Sequence, residues 1–207
     1  MTTMPPTPTI ARTLILARHA KAEHVAGKPD HERELTPRGR RDARAIGGWL
    51  SDPAHAVVLD LVLCSTSERT RQTLEGVRVG GATIKEVQFD ARIYDAHAAR
   101  LLDVLREVPD SANAVLVIGH APGIPVLAPA LARDDVGSTE LVEQIARAFP
   151  TSALAVLEFE GRCRPGTGDR VPAGLRRPAR LNQLAMPERR DCGPIVWTGR
   201  QGHRIRS

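Results

Sequence analysis

Two apolar runs in this chain each stop at a histidine. Leu14-Ile15-Leu16-Ala17 leads into Arg18-His19-Ala20, and Val115-Leu116-Val117-Ile118 leads into Gly119-His120-Ala121-Pro122-Gly123. Each run is too short and too apolar for a surface helix and reads as a buried strand. Both histidines therefore stand at the carboxyl end of a strand, where an open α/β sheet places its binding crevice. An imidazole with one unprotonated nitrogen can act as a nucleophile if its other nitrogen is held by a fixed acceptor. The planar fork of Arg18 matches phosphate oxygens in a bidentate way that lysine cannot. The combination suggests phosphate chemistry.

A third apolar run, Leu59 to Cys64, leads into Ser65-Thr66-Ser67-Glu68-Arg69-Thr70-Arg71. Arg69 falls in the first turn of the helix that follows, and a helix N-terminus favours anions. Arg71 points to a different helical face, so one of the two arginines should reach a phosphate near His19. His120 can donate to a phosphoryl oxygen, and Gly119 and Gly123 allow close backbone approach. Each signal is weak alone, since strand-end histidines often cap a carbonyl and helix arginines are often solvated. Their shared placement at strand ends carries the reading. Ser65 and Ser67 have no paired base in sequence reach and read as turn and cap residues. His24, His31, His55, His97 and His203 read as solvated, with His24 and His31 able to rim the pocket. Cys64, Cys163 and Cys192 are odd in number and widely spaced, which fits neither a metal site nor a disulfide framework. No metal or cofactor is expected, and the setting expected is a reducing cytoplasm.

The elements that must position these residues alternate. Thr13–Ala17 is a strand. Thr36-Pro37 opens a helix, with threonine as cap and proline at the first helical position, and Asp52-Pro53 closes it. Its apolar stripe is Ala43, Ile46, Gly47 and Leu50. Leu59–Cys64 is a strand, followed by a helix with Thr70, Leu74 and Val77 inward. Ile84–Phe89 is a third strand. Ala98, Leu101, Leu102, Leu105 and Val108 have a helical period. Ala114–Ile118 is the fourth strand. Pro122–Arg133 contains Pro125 and Pro129, so a helix there is kinked or short. Leu141, Ile145 and Phe149 mark another helix, and Ser152–Phe159 a last strand. This alternation predicts a three-layer α/β/α sandwich around a mainly parallel central sheet.

The 207 residues suit one domain with extensions, and a 42% hydrophobic fraction is enough for a core. No apolar stretch reaches the roughly 20 residues that span a bilayer, so no membrane association is expected. Met1 to Thr9 has no cationic and apolar succession of the secretory kind. Residues 1–11 read as a flexible leader, 12–160 as the catalytic domain, and 161–207 as a tail rich in Arg, Gly and Pro, disordered or loosely attached. The whole chain carries +5, but the tail holds eleven arginines against three acids, leaving the other 160 residues at −3. The basic charge therefore gives the body no claim on nucleic acid. The tail could bind it, but Trp197 alone offers no aromatic interleaving, and no nucleic-acid partner is expected.

Six segments carry a resemblance: LILARHAKA, DHERELTPRGRRDARAIGGWL, DLVLCSTSERTRQT, IYDAHAARLLDVL, VLVIGHAPGIPVLA and FPTSALAVLEF. Together, from about Thr13 to Glu160, they resemble the histidine phosphatase superfamily of phosphoglycerate mutase-like proteins. The match is nearest to its short branch, the SixA-type phosphohistidine phosphatases. The resemblance implies a phosphatase with a phosphohistidine intermediate on His19, and Arg18, Arg69 and His120 as the remaining phosphate-pocket positions. It implies as substrate a phosphorylated small molecule or a protein phosphohistidine. Glu34–Gly39 matches the segment opening the first helix, with Thr36 as cap, and Arg33 a basic position that could assist substrate binding. Many members have glycine where this chain has Ala20, which is tolerated if that backbone is not left-handed. The proton donor stays open between Asp95, Glu23 and no dedicated donor. A nitrogen leaving group would need the least protonation. Two alternatives remain: a phosphomutase, which needs more chain to enclose its intermediate, and a non-catalytic phosphate- or phosphoprotein-binding module.

Overall fold

A computed structural model describes residues 11–131, 148–160, 180–187 and 194–198, with positions 143, 145 and 147. The strands are β1 (Ala11–Arg18), β2 (Leu59–Cys64), β3 (Ile84–Phe89), β4 (Ala114–Gly119), β5 (Leu154–Glu160), β6 (Arg180–Pro187) and β7 (Pro194–Thr198). The helices are α1 (Pro37–Ser51), α2 (Glu68–Val79), α3 (Ala98–Arg106) and α4 (Gly123–Leu131). The sheet order is β3-β2-β4-β1-β5-β6-β7. Strands β3, β2, β4 and β1 are mutually parallel, and β5, β6 and β7 extend the sheet antiparallel.

Strand alternation builds the two cores. Leu14, Leu16, Leu61, Leu63, Val115 and Val117 face α3 and α4, where Leu101, Leu105, Ile124 and Leu127 meet them. Ile15, Ala17, Val62, Cys64, Leu116 and Ile118 face α1 and α2, against Ile46, Leu50, Leu74 and Val77. Successive side chains on a strand point to opposite faces, so strands apolar throughout must be covered twice. This is the expected three-layer sandwich.

The chain leaves β1 toward α1 on one face and β4 toward α4 on the other. These two strands are neighbours, paired Ala17 to Ile118 and Arg18 to Gly119. A crevice opens between adjacent parallel strands whose helices diverge in this way. Register also aligns Cys64 with Ile118, so Ser65, His120 and His19 leave the sheet side by side.

Helix α1 begins as expected: the Thr36 hydroxyl accepts from the Gly39 amide at 3.0 Å, with Pro37 in the first turn. Gly39 is required here, because a Cβ would collide with the Lys21 carbonyl of the loop after His19. Helix α4 is short and carries Pro129. Positions 143, 145 and 147 are helical, but Phe149 lies beyond the helix and Leu141 falls outside the described residues.

The tail departs from expectation. Of residues 161–207, expected to be disordered or loosely attached, Arg180–Pro187 and Pro194–Thr198 instead pair in succession onto β5. Without them β5 would present a free row of backbone donors and acceptors, and Pro194-Ile195-Val196-Trp197-Thr198 has strand-favouring residues. The rest of the tail, and the leader up to residue 10, lie outside the described residues.

Candidate active site

A cleft of about 460 Å³ opens at the carboxyl ends of β1 and β4. Arg18, His19, Arg69 and His120, the four residues expected to form a phosphate pocket, all line it. Lys21, Asp30, Arg33, Asp95 and Thr151 complete most of its wall.

His19 is held by its own neighbour. Its Nδ1 lies 2.8 Å from the Ala20 carbonyl oxygen. A carbonyl only accepts, so Nδ1 carries the proton and Nε2 keeps its lone pair. The Ala20 amide donates to Thr73 Oγ1 at 3.0 Å, and Ala20 shows no positive φ, so its methyl costs nothing. Burial pushes the His19 imidazole down to about 4, and Arg69, Arg18 and Arg33 add to that shift. The ring is therefore neutral near pH 7.

His120 is 4% exposed, and its ring centroid lies 5.1 Å from that of His19. Its Nε2 is 2.9 Å from Ser65 Oγ, and its Nδ1 is buried without a hydrogen-bond partner. Burial, His19 and Arg69 push it down to about 3. Ser65 was expected to be a turn residue without a base. It does start the turn, but it also pairs with an imidazole 55 positions away, a contact set by the β2–β4 register. Ser67 also differs from expectation: its hydroxyl meets Thr70 Oγ1 at 2.9 Å instead of capping an amide.

Arg18 donates one guanidinium nitrogen to the Phe149 carbonyl at 2.9 Å. The Ser152 amide in turn donates to the Arg18 and His19 carbonyls, so the turn before β5 braces the Arg-His pair. Arg69 is 5% exposed and reaches the cleft, whereas Arg71 packs over the Phe89 ring and donates to the Thr66 carbonyl. One arginine of the two reaches in, as helical geometry required.

Asp30 was not foreseen. Its carboxylate accepts from Arg69 at 2.9 Å, Tyr94 at 2.7 Å and Arg33 at 2.8 Å, and its backbone carbonyl also accepts from Arg69. Hydrogen bonds from Arg33, Tyr94 and Arg69 hold it well below the usual carboxylate range. Tyr94 stands edge-on to the His120 ring at 5.5 Å. The one local signal for Asp30 was its place three residues before Arg33. Its partners Arg69 and Tyr94 are 39 and 64 positions away.

Of the two proton-donor candidates, Asp95 lines the cleft and has a positive φ of 50°, a conformation that aspartate tolerates better than most residues. Gly123 makes room for this loop, since a Cβ there would strike the Ala96 carbonyl. Glu23 is instead bound to Lys28 at 2.7 Å, which holds its carboxyl below the usual range. His31 touches Thr66 and Tyr94 beside the cleft, and His24 is not among the lining residues. The Cys64 thiol is buried and pushed up to about 12, an inert group. Among the described residues no cluster of His, Cys, Asp and Glu could hold a metal, and no helix is long and apolar enough to cross a membrane.

Known proteins resemble this chain in sequence and fold. The profile of the histidine phosphatase superfamily (branch 1) matches residues 14–101. An uncharacterized protein of Mycobacterium tuberculosis (strain CDC 1551 / Oshkosh) is 38% identical over 144 residues, 70% of this chain and 87% of its own length. A structure from Nakamurella multipartitia, provisionally named phosphohistidine phosphatase SixA, is 33% identical with a TM-score of 0.70. The match covers 87% of this chain and 99% of that one. The protein histidine phosphatase SixA solved with tungstate is 25% identical, TM-score 0.55, over 70% of this chain and 86% of its own. The chain belongs to the histidine phosphatase superfamily, in its SixA-type branch.

Proposed function

We propose that the protein is a phosphatase that works through a phosphohistidine intermediate on His19, with protein phosphohistidine as the substrate class that suits its site best. The observation that carries this reading is the His19 tautomer: Nδ1–H fixed on the Ala20 carbonyl, Nε2 left with a lone pair in a cleft lined by Arg18 and Arg69. In the first step Nε2 attacks phosphorus and the bond to the leaving group breaks, its electron pair going to the leaving atom. In the second step water attacks phospho-His19, the P–N bond breaks, and the electron pair returns to Nε2. Arg18, Arg69 and His120 hold the phosphoryl oxygens while charge redistributes. Asp95 is the carboxyl group assigned to proton transfer, giving a proton to the leaving atom and taking one from water.

The substrate class rests on the leaving group. A nitrogen leaving group departs from phosphorus more readily than an alkoxide, so it asks the least of Asp95. The SixA-type neighbours named above support the same class. A phosphorylated small molecule remains the alternative substrate. The odd, widely spaced cysteines keep a cytoplasmic setting in the proposal.

The test is release of inorganic phosphate from an aryl phosphate and from a phosphohistidine protein, without added divalent metal, with His19→Ala as the blank. An acid-labile phosphoenzyme should be trapped in rapid quench. Equal turnover by the variant would sink the reading. Tight phosphate binding with no hydrolysis of either substrate would point to a binding module instead.

A further inference from the structure

The cleft has a carboxylate in its own wall, and it sits on a side chain that the proposed chemistry needs. Both terminal nitrogens of Arg69 donate to Asp30, one to its carboxylate at 2.9 Å and the other to its backbone carbonyl. The third nitrogen, Nε, is buried without a hydrogen-bond partner. Asp30 thus holds both terminal nitrogens of Arg69, the nitrogens that a bidentate phosphate contact would use. The two partners differ in freedom. Arg69 is almost wholly buried, with its side chain 6% exposed, whereas the Asp30 side chain is 52% exposed and belongs to a single helical turn, Asp30–Glu32, that buries no residue. Arg33 and Tyr94 share the carboxylate, so it keeps two donors if it lets Arg69 go.

We propose that Asp30 is a resident anion that competes with phosphate for Arg69 and thereby sets how weakly the product is held. This role for Asp30 extends the phosphatase reading of the cleft and rests on it. A pocket with Arg18, Lys21, Arg33 and Arg69 in its wall would hold a phosphate dianion tightly, and tight product binding slows release. A carboxylate in the same wall opposes this in two ways. It must give up a charged hydrogen bond to Arg69 when phosphate takes it, and it repels the bound dianion. Asp30 acts through Arg69, as a positioning residue, and forms no bond to the reacting phosphorus.

The test is equilibrium binding of inorganic phosphate to the full chain at pH 7.5, by calorimetry or phosphorus NMR, for wild type, Asp30→Asn and Asp30→Glu. Asparagine keeps the size and the acceptor oxygen but removes the charge, and phosphate should bind about tenfold or more tighter, the value of one charged hydrogen bond. Glutamate keeps the charge, and affinity should stay within about threefold of wild type. Product inhibition should follow, with a lower inhibition constant for phosphate in Asp30→Asn alone. Unchanged or weaker phosphate binding by Asp30→Asn overturns the proposal and makes Asp30 a structural brace. Equal tightening by both variants overturns it too, since loosened packing would then be the cause. If wild type binds phosphate and Asp30→Asn binds it no better, only this inference falls. If neither binds it, the phosphate reading of the cleft falls as well.

Discussion

Two clefts lie toward opposite ends of β1, and each has histidine in its wall. At the carboxyl ends of β1 and β4 the cleft of about 460 Å³ brings His19 and His120 together with Arg18 and Arg69. At the other end a cleft of about 320 Å³ is lined by Thr13, Trp49, His55 and Val156, where His55 stacks on Trp49 at 4.6 Å between centroids. The first histidines face guanidinium groups and each other. The second faces an indole. The difference follows from strand direction: parallel strands deliver all their carboxyl ends, and the loops after them, to one pole. Composition alone would not separate the two. A histidine becomes a candidate nucleophile here through a fixed tautomer and nearby cations.

The largest way to break this contrast is His19→Ala, which should lower aryl phosphate turnover at least about a thousandfold with the fold intact by circular dichroism. Comparable activity would mean that the two poles do not differ as argued. Arg69→Ala comes next. It removes charged hydrogen bonds worth about 1.5–3 kcal/mol each, roughly ten- to a hundredfold per bond in kcat/KM, read by steady-state kinetics. Arg71→Ala, on the Phe89 side of the helix, should leave kcat/KM within about threefold.

Titration sharpens the comparison. In the anion-free protein burial and neighbouring cations disfavour the imidazolium, so the His19 ring should stay neutral as pH falls through 6.5 and protonate only near about 4. His120 should follow near about 3. Histidine nitrogen NMR measures both, and a bound phosphate dianion should move both upward, because its charge favours the cation. Titration of His19 at 6.5 without ligand would contradict the site's electrostatics. The smallest effect belongs to the opposite pole: His55→Ala should leave kcat/KM unchanged and cost about 0.5–1.5 kcal/mol of stability through the lost stack, read as a lowered Tm.

The fold was largely legible because its signals are local. Helix α1 opens where Thr36-Pro37 says it should, and strands β2 and β3 span the ranges read from the sequence, Leu59–Cys64 and Ile84–Phe89. That Arg18, His19, Arg69 and His120 would line one cleft was legible because strand ends in a parallel sheet, and the loops and helix starts after them, lie at one pole. Asp30, Tyr94 and the Ser65–His120 contact were not, since each joins segments from 39 to 64 positions apart. The strands in the tail were missed because β6 pairs with the outer edge of β5 and β7 with β6, an opportunity that exists only once the sheet is formed.

By itself the sequence determined the alternation of strands and helices, the helix cap at Thr36, and the delivery of His19 and His120 from the ends of buried strands. Those depend on side-chain period and on turn chemistry, which act over a few residues. Only the tertiary structure decided that Arg69 reaches the cleft already held by Asp30, that Asp95 lines it while Glu23 is bound to Lys28, and that His120 leans on Ser65. Those depend on strand register and on which loops the packed helices bring together, and neither distance nor direction between such segments is written in local sequence.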